Sequence, residues 1–387
     1  MFFFKQVLFF IFCICFLYSL PSQAETGVTH NAIVFGQTAA LGGPASELGL
    51  GMNLGIRAAF KEANDQGGLH GRTLELKALD DGYEPERAID NTKKLIHDEG
   101  IFALIGGVGT PTANAIQPIT SQEKVPFIGP FTGAEFLRSP FKRYVLNIRG
   151  SYWQETEEWI ERLTVDLGID RIAIMYQDDS YGRAGLSGVV RALEKRNMEL
   201  VGEGTYKRNT TAVKSSLLQI RKSDPEAVVM IGAYEPCAAF INLAKKIGLK
   251  TVFVNISFVG SKALAESLGS AGEGVIISQV VPFPFDASSS TLVKNYQQAL
   301  KALNPMAEYG FVSLEGYMVG RFVIEVLQGM DQDVSREGFL DAVYDRKTIR
   351  LDDVLLTFGP DDNQGMDNVF LTVINSHGDF EPVERLK

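Results

Sequence analysis

Short apolar segments alternate with amphipathic helical segments along most of this chain, and this alternation limits the folds that it can adopt. Residues 32–35 read as a short apolar strand, and residues 48–64 then place apolar side chains on one face at helical spacing. Residues 101–105 are apolar throughout, which is typical of a strand buried on both faces of a parallel sheet. Repeated strand–helix–strand units build a doubly wound sheet covered by helices. The sequence therefore predicts the α/β class with parallel sheets.

The alternation starts again after residue 150, so the chain contains two units of similar make-up. Extended segments near residues 144–150, 274–283 and 350–358 connect the units, and two lobes joined in this way form a hinged clamp around a cleft. Two independent domains without a shared site are the alternative. The predicted bounds are residues 25–148 plus 281–355 for lobe 1, and residues 149–280 plus 356–387 for lobe 2.

The first 24 residues have the pattern of a cleaved secretion signal. Lys5 precedes an apolar run over residues 7–20, Pro21 ends the run, and residues 22–24 resemble the site that a signal peptidase reads. The run is shorter than the roughly 20 residues of a membrane-spanning helix, although an uncleaved anchor is the alternative interpretation. We expect a mature protein that begins near Glu25 and resides in the periplasm, where ATP and nicotinamide cofactors are scarce.

Charge and cysteine content exclude several classes of partner and site. The net charge is −10, and removing the single positive charge of Lys5 makes it −11. Nucleic acids and anionic membranes select basic patches, so neither is an expected partner. Cys237 is the only cysteine after the leader, so no internal disulfide forms and stability comes from core burial. Because Cys237 begins an apolar run, we expect a buried thiol rather than a nucleophile.

The turn after the apolar run at residues 101–105 is the first candidate binding site. It reads Gly-Gly-Val-Gly-Thr-Pro-Thr over residues 106–112. Gly109 allows a ligand to approach the backbone, and Thr110 can cap a helix that begins at Pro111. The free N–H groups and the positive end of that helix suit an anion such as a carboxylate. A plain helix cap is the alternative, and the turn matches neither a P-loop nor a dinucleotide-binding motif.

Four further turns follow predicted strands, and in open α/β sheets ligands bind at the carboxyl ends of the strands. Phe131 and Thr132 offer an apolar face and a hydroxyl after the next strand of the first unit. Tyr181, Tyr234 and Ser257 stand in corresponding turns of the second unit. Aromatic side chains at such places can close over a ligand. Each turn alone is more often a capped turn, but five such turns from both units favour a shared ligand site.

Signatures of enzymes and metal sites are poor in this sequence. The four histidines are scattered, no His-Glu-x-x-His pair or Gly-x-Ser-x-Gly elbow occurs, and one thiol cannot build a cysteine-based zinc site. Residues 80–84, Asp-Asp-Gly-Tyr-Glu, lack the spacing of a calcium loop and predict a solvated turn before a helix that Pro85 opens. We therefore expect no catalytic residue, no metal and no cofactor.

Several motifs make the mature sequence resemble one family over essentially its whole length. The most specific is Asn-x-x-Gly-Gly-x-x-Gly-Arg at residues 64–72. Others lie at residues 42–45, 55–59, 80–81, 105–107, 181–182 and 248–250. With these motifs the chain resembles the leucine/isoleucine/valine-binding family of periplasmic solute-binding proteins, the type I fold of branched-chain amino acid ABC importers. Residues 132–134, 149–152 and 279–282 look like a less characterised branch of that family.

The resemblance implies roles for four of the candidate residues. Thr110 matches the hydroxyl residue that holds the ligand carboxylate together with nearby backbone N–H groups, and Thr132 lies near the hydroxyl residue of the next loop. Tyr181 and Tyr234 match aromatic residues of the second lobe that close over the ligand. The first-lobe disulfide of the family has no counterpart here, because Cys237 is the only cysteine of the mature chain.

One position departs from the family pattern. Ser257 stands where amino-acid binders place an acidic residue for the α-ammonium group, and losing that carboxylate should weaken ammonium binding by roughly 1.5–3 kcal/mol. Either another acid, such as Glu47 or Glu235, takes its place, or the ligand is not an ordinary α-amino acid. Ser257 and Glu47 are therefore expected to tune specificity.

These expectations describe a periplasmic protein that captures a small amino-acid-like or carboxylated solute and delivers it to a membrane ABC permease. The ligand class stays open between amino acids, aromatic acids, amides and purine-like molecules, and the family implies a monomer. A sensing protein that signals to a membrane receptor or kinase would have the same site. A secreted hydrolase is the third alternative, and it would need a nucleophile–base pair that the sequence does not offer.

Overall fold

The computed structural model describes residues 25–387, so the predicted leader at residues 1–24 lies outside the described residues. The strands are β1 (Ala32–Ala39), β2 (Thr73–Asp80), β3 (Ala103–Ile105), β4 (Phe127–Ile128), β5 (Val145–Leu146), β6 (Ile172–Gln177), β7 (Gly202–Tyr206), β8 (Ala227–Ile231), β9 (Val252–Asn255), β10 (Ile276–Gln279), β11 (Thr348–Leu351), β12 (Val354–Thr357), β13 (Phe370–Ile374) and β14 (Phe380–Val383). The α-helices are α1 (Ser46–Asp65), α2 (Pro85–His97), α3 (Thr110–Gln122), α4 (Tyr152–Glu161), α5 (Ser180–Glu194), α6 (Lys214–Arg221), α7 (Tyr234–Lys246), α8 (Ser261–Leu268), α9 (Thr291–Leu303), α10 (Phe311–Gln328) and α11 (Arg336–Arg346).

The first sheet consists of five parallel strands in the order β2-β1-β3-β4-β5. Its central strand β3 pairs with β1 and β4 and is fully buried, as the apolar run at residues 101–105 predicts. Helices α1, α2 and α3 connect the strands, so the carboxyl ends of the strands meet at one edge. The predicted parallel α/β organisation of this unit is confirmed.

The second sheet has seven strands in the order β14-β13-β10-β9-β8-β6-β7. Its parallel part repeats the order of the first sheet, with β7, β6, β8, β9 and β10 in the places of β2, β1, β3, β4 and β5. The predicted second unit of similar make-up is therefore confirmed. Strands β13 and β14 extend this sheet in antiparallel pairing, and β14, β11 and α11 are elements that the sequence pattern did not predict.

The sequence pattern predicts helices over residues 185–196 and 236–247 of the second unit, and both helices begin earlier. Helix α5 begins at Ser180 rather than at residue 185, because the Asp179 carboxylate accepts a hydrogen bond from the Tyr181 N–H at 3.0 Å and caps the helix. Helix α7 begins at Tyr234 rather than at residue 236. Tyr181 and Tyr234 therefore stand in first helical turns rather than in the loops before them.

Helix α10 packs against the first unit although it follows the parallel strands of the second sheet along the chain. A Cβ atom at Gly55 of α1 would lie 2.0 Å from the Ser313 carbonyl oxygen of α10, and one at Gly316 would lie 2.4 Å from the Met52 carbonyl oxygen. Only glycine allows two backbones to approach this closely. The α1–α10 contact therefore joins Glu315, in the first third of α10, to the first unit.

The chain passes between the two sheets three times, after β5, after β10 and after β12. Two of these crossings run side by side, because the Asn147 N–H donates to the Asn363 carbonyl at 2.8 Å and Asn363 Nδ2 donates to the Val145 carbonyl at 2.9 Å. This arrangement supports a hinge of three segments, whereas the exact lobe bounds stay a prediction. Within residues 25–387, no helix combines the length and the apolar character that crossing a membrane requires.

Candidate functional site

The turn after β3 places Gly109 and Thr110 at the carboxyl edge of the first sheet. Gly109 is the N-cap residue of α3, with a φ of 107°, and Thr110 is the first residue of the helix. The prediction that Thr110 caps a helix beginning at Pro111 is therefore wrong. Proline is favoured in the first turn of a helix because its missing N–H is not needed there, so the helix can begin one residue earlier. The Thr110 hydroxyl is consequently free to contact a neighbouring loop.

That contact is with Thr132, the other hydroxyl residue that the sequence singled out. Thr110 Oγ1 lies 2.6 Å from Thr132 Oγ1, which lies 3.3 Å from the Tyr152 hydroxyl and accepts a hydrogen bond from the Ala134 N–H at 3.2 Å. Thr110, Thr132 and Tyr152 are fully buried, and burial raises the pKa of Tyr152, so its phenol keeps its proton near neutral pH. The three side chains form a chain of hydroxyl groups that can hydrogen-bond an acceptor.

Asp81 and Tyr83 of the turn at residues 80–84 are buried, so the prediction of a solvated turn is wrong. The Asp81 carboxylate is buried and accepts hydrogen bonds from Thr38 Oγ1 and from the Tyr83 N–H, both at 2.8 Å. Burial raises the pKa of Asp81 to about 6. Tyr83 itself has a φ of 63° and is buried. Asp81 therefore organises its own turn and directs the Tyr83 ring towards the second unit.

Aromatic rings from both units meet in what we call the interlobe aromatic cluster, formed by Tyr83, Phe131, Tyr181 and Phe258. Phe258 follows β9 of the second sheet, and its ring centre lies 5.3 Å from that of Phe131, 5.9 Å from that of Tyr83 and 4.7 Å from that of Tyr181. Such distances are those of favourable aromatic pairs. Phe131 and Tyr181 were predicted site residues. Phe258 lies in the same predicted turn as Ser257 but was not itself a predicted site residue, and Tyr83 was assigned no role.

A second contact between the units, which we call the interlobe clamp, lies next to Tyr83. Arg208 Nη2 lies 2.7 Å from Glu84 of the first unit, and its Nη1 lies 2.9 Å from Asp179 of the second unit. Gln177 Nε2 donates to the Tyr83 hydroxyl at 3.3 Å. One arginine thus joins carboxylates of both units, and the clamp holds the two lobes together at this edge.

Glu47 and Tyr234 lie at a different part of the interlobe region. A cavity of about 180 Å³ lies between the start of α1, the start of α8 and the start of α10, and exposed Glu47 lines it. Tyr234 lies beside Gly260 of this cavity, where an added Cβ would be 3.5 Å from the Tyr234 ring. Burial raises the pKa of Tyr234, and the charges of Glu235 and Glu47 add to the rise. Because Glu47 is exposed and Glu235 only half-buried, neither is enclosed as a dedicated ammonium partner would be.

Ser257 contacts a buried ion pair that sequence reasoning missed. Its N–H and its hydroxyl each donate to the Glu155 carboxylate at 2.9 Å, and Arg149 Nη2 donates to Ser257 Oγ. Arg149 Nη2 also lies 3.1 Å from Glu155, and both charged side chains are fully buried. Ser257 therefore occupies its turn as a partner of Arg149 and Glu155.

Arg149 connects this pair to the first unit. Its Nη1 lies 3.5 Å from Glu315 of α10, and its guanidinium carbon lies 5.1 Å from the centre of the Phe131 ring and 5.9 Å from that of Tyr152. Burial raises the pKa of Glu315 to about 7, although the charge of Arg149 opposes the rise. Arg149 thus stands beside the hydroxyl chain and the interlobe aromatic cluster. The only sequence signal for it was the segment at residues 149–152, which looked like a branch-specific motif of the family.

The described residues offer little for nucleophilic or metal chemistry. Burial raises the pKa of the Cys237 thiol, and the side chain is fully buried, as the sequence predicted. Within residues 25–387, no group of three or more His, Cys, Asp and Glu side chains could hold a metal ion. Buried hydroxyl groups, aromatic rings and the guanidinium of Arg149 meet between the two units.

Comparisons with known proteins agree with this geometry. The model of the family described as periplasmic binding protein matches residues 32–379. The leucine-specific-binding protein of Salmonella typhimurium is 24% identical over 263 residues, which cover 68% of this chain and 70% of that protein.

Solved structures of the same fold are numerous. A possible leucine/isoleucine/valine-binding protein from Rhodopirellula baltica SH 1 is 37% identical, with a TM-score of 0.87 over 91% of this chain and 96% of that one. A fatty acid ABC transporter substrate-binding protein from Thermomonospora curvata is 20% identical, with a TM-score of 0.84 over 94% of each chain, and shares the fold. Proteins described by different ligands thus share this two-lobed architecture.

Proposed function

Because the chain belongs to the periplasmic binding protein family, among the type I members related to leucine/isoleucine/valine-binding proteins, we propose that it captures a small solute between its lobes and delivers it to a membrane ABC permease. The observation that carries the proposal is the position of Phe258 of the second unit against Tyr83 and Phe131 of the first. A ligand between the lobes would contact both units, and such contacts favour the closed state over the open one.

The proposal assigns roles to the residues around the cleft. Thr110, Thr132 and the backbone at Gly109 would hold an anionic end of the ligand, supported by the 2.6 Å contact between the two threonine hydroxyls. The proposed lobes are residues 25–148 plus 281–355, and residues 149–280 plus 356–387. The mature protein would begin near Glu25 and act in the periplasm as a monomer.

The second lobe and the cleft edge would close over the rest of the ligand. Phe131 and Tyr181 would pack against its apolar part, and their buried rings support this role. Tyr234 and Glu47 would contact it near the cavity of about 180 Å³, and Ser257 would tune specificity through its neighbours. No bond is made or broken in this function, which needs neither a catalytic residue nor a cofactor.

A thermal-shift screen tests the proposal. The mature protein is first freed of co-purified ligand by unfolding and refolding, and the panel holds α-amino acids, their deaminated acids, aromatic acids, amides and purines. A ligand at about 100 times its Kd should stabilise the fold by about 2.7 kcal/mol, which raises the melting midpoint measurably. The double variant Thr110→Ala/Tyr234→Ala should lose most of that shift. A panel without any stabilising compound, or an unchanged shift in the double variant, would contradict the proposal.

A further inference from the structure

We propose that the ligand carries a carboxylate and no α-ammonium group, and that Arg149 binds this carboxylate. The inference rests on the function proposed above and names the chemical class of the ligand for the same site. The residue on which the inference depends is Arg149, whose side chain is fully buried between residues of both units.

Arg149 has hydrogen-bond donors that the protein does not use. Nη2 donates to Ser257 and lies 3.1 Å from Glu155, whereas Nε and Nη1 are buried without a hydrogen-bond partner among the described residues. The nearest acid to Nη1 is Glu315, at 3.5 Å, which is longer than an N–H···O hydrogen bond. Leaving a buried charged donor unsatisfied is costly, so an acceptor from the ligand is favoured there. A carboxylate can accept charge-assisted hydrogen bonds from the unused donors of Arg149.

The acid next to Arg149 is already occupied and does not offer a place for an ammonium group. Glu155 accepts from the Ser257 N–H and hydroxyl at 2.9 Å each, from Arg149 at 3.1 Å and from the Ser278 hydroxyl. Two carboxylate oxygens have about four acceptor positions, and four donors fill them. An α-ammonium group would therefore meet the charge of Arg149 without a free carboxylate to balance it.

Glu315 does not change this conclusion. Its carboxyl is buried on α10, its pKa is raised to about 7 by burial, and Arg149, Glu155 and Arg138 are the charged groups that face it. A substantial fraction of Glu315 is therefore protonated near neutral pH, so Glu315 competes weakly for Nη1 of Arg149 and offers little negative charge to an ammonium group. A ligand carboxylate can accept from Nη1 instead.

The surroundings of Arg149 indicate the rest of the ligand. The guanidinium carbon lies 5.1 Å from the centre of the Phe131 ring, and the Phe131 and Phe258 rings are 5.3 Å apart. Thr132 belongs to the hydroxyl chain that reaches Tyr152, which is also beside Arg149. A ligand whose carboxylate lies between Arg149 and the hydroxyl chain would thus place its body against aromatic rings. The ligand class is an apolar or aromatic monocarboxylate.

Matched ligands separate the carboxylate from the ammonium group. We would titrate the mature protein calorimetrically with leucine, isocaproate and isocaproamide, and with phenylalanine, hydrocinnamate and hydrocinnamide. A carboxylate should bind about ten- to a hundredfold more tightly than its amide, because a hydrogen bond to a charged group contributes about 1.5–3 kcal/mol. The parent amino acid should bind more weakly than its deaminated acid. Tighter binding of the amino acid would overturn this inference and leave the proposed function intact, whereas no binding across the whole thermal-shift panel would contradict the proposed function.

Two variants test Arg149 itself. Arg149→Gln should reduce the ratio of carboxylate to amide affinity to near one. Glu315→Gln removes the acid that competes for Arg149 and should raise the ratio of carboxylate to amide affinity. This variant still tests the role of Arg149 if Arg149→Gln does not fold. A ratio that stays unchanged in Glu315→Gln, or in a folded Arg149→Gln protein, would show that Arg149 has only a structural role and would overturn the inference.

Discussion

Gly109 lies directly against the ring of Tyr83, and a Cβ atom at position 109 would come within 2.2 Å of Tyr83 Cε2. The N-terminus of α3 and the turn that carries Tyr83 therefore fit together only because residue 109 has no side chain. Tyr83 in turn contacts Phe258 of the second unit. Gly109, which the sequence predicted to allow a ligand close to the backbone, thus also makes room for Tyr83, which contacts both lobes.

Replacing Gly109 should reduce the free energy of unfolding by more than its positive φ alone explains. Gly109→Ala should reduce the free energy of unfolding by about 1 kcal/mol through the positive φ, and by about 1–3 kcal/mol more through the clash with Tyr83. Gly67→Ala is the matched control, because Gly67 has a φ of 99° and no atom within 4 Å of an added Cβ. Urea unfolding of both variants measures the difference. Equal losses would show that Tyr83 moves away without cost.

The hydroxyl chain should be sensitive to loss of its central member. Thr132→Val keeps the shape of the side chain but removes the partner of the Ala134 N–H and of the Thr110 hydroxyl. Leaving buried polar groups unpaired should reduce the free energy of unfolding by about 1–3 kcal/mol, and carboxylate affinity should fall as well. Thr120→Val is the control, since the buried Thr120 hydroxyl donates only to the carbonyl of Gln117 in its own helix. A loss in Thr132→Val no greater than in the control would contradict the assigned role.

The interlobe clamp should act on the balance between open and closed lobes rather than on unfolding. Partly exposed ion pairs contribute at most about 1 kcal/mol, so Arg208→Gln should change the unfolding midpoint little and raise the Kd of a ligand up to about fivefold. Its radius of gyration in small-angle scattering should increase. Arg171→Gln is the control, because within residues 25–387 Arg171 forms ion pairs only with Asp224 and Glu226 of its own unit. Identical scattering and affinity for the two variants would rule out a clamp.

Glu315 should make stability depend on pH. Burial raises the pKa of Glu315 from 4.5 to about 7, so the folded protein keeps a proton that the unfolded chain has lost at these pH values. The stability from this group is full below the unfolded pKa of 4.5 and is lost as the pH rises through about 7.

Glu315→Gln removes that dependence while it retains the shape of the side chain. Between about pH 5 and about pH 8, the free energy of unfolding of the variant should rise relative to that of wild type by on the order of 3 kcal/mol. Glu199→Gln, at an exposed glutamate of the second unit, is the control. Its free energy of unfolding should change with pH in the same way as that of wild type. Urea unfolding across this pH range gives the result, and a constant offset between Glu315→Gln and wild type would contradict the raised pKa.

Much of the fold and part of the site follow from local patterns in the sequence. The apolar run at residues 101–105 predicted the central strand of the first sheet, because a strand buried on both faces has to be apolar throughout. Thr110 and Thr132 were found because turns at the carboxyl ends of neighbouring parallel strands meet at one edge. The structure brings these two hydroxyls into contact.

The residues that were missed depend on contacts between distant parts of the chain. Arg149 is buried where it contacts Ser257 and Glu315, both more than a hundred residues further along the chain. No local sequence pattern predicts such a contact. Tyr83 lies in an acidic turn whose composition predicts exposure to solvent. The Asp81 carboxylate instead accepts hydrogen bonds from the Tyr83 N–H and from Thr38, which allows Asp81 to be buried. Polar composition alone therefore gave the wrong environment for the turn that carries Tyr83.

The proposed function requires the two lobes to close around a solute, and small-angle scattering measures this closure. The stripped mature protein would be measured alone and with the solute that gives the largest thermal shift. We predict that the solute reduces the radius of gyration of wild type, because contacts with both lobes favour the closed arrangement in which Phe258 meets Phe131. The Thr110→Ala/Tyr234→Ala variant should stay expanded at the same concentration. A solute that binds wild type tightly and leaves its radius of gyration unchanged would show that binding does not close the lobes.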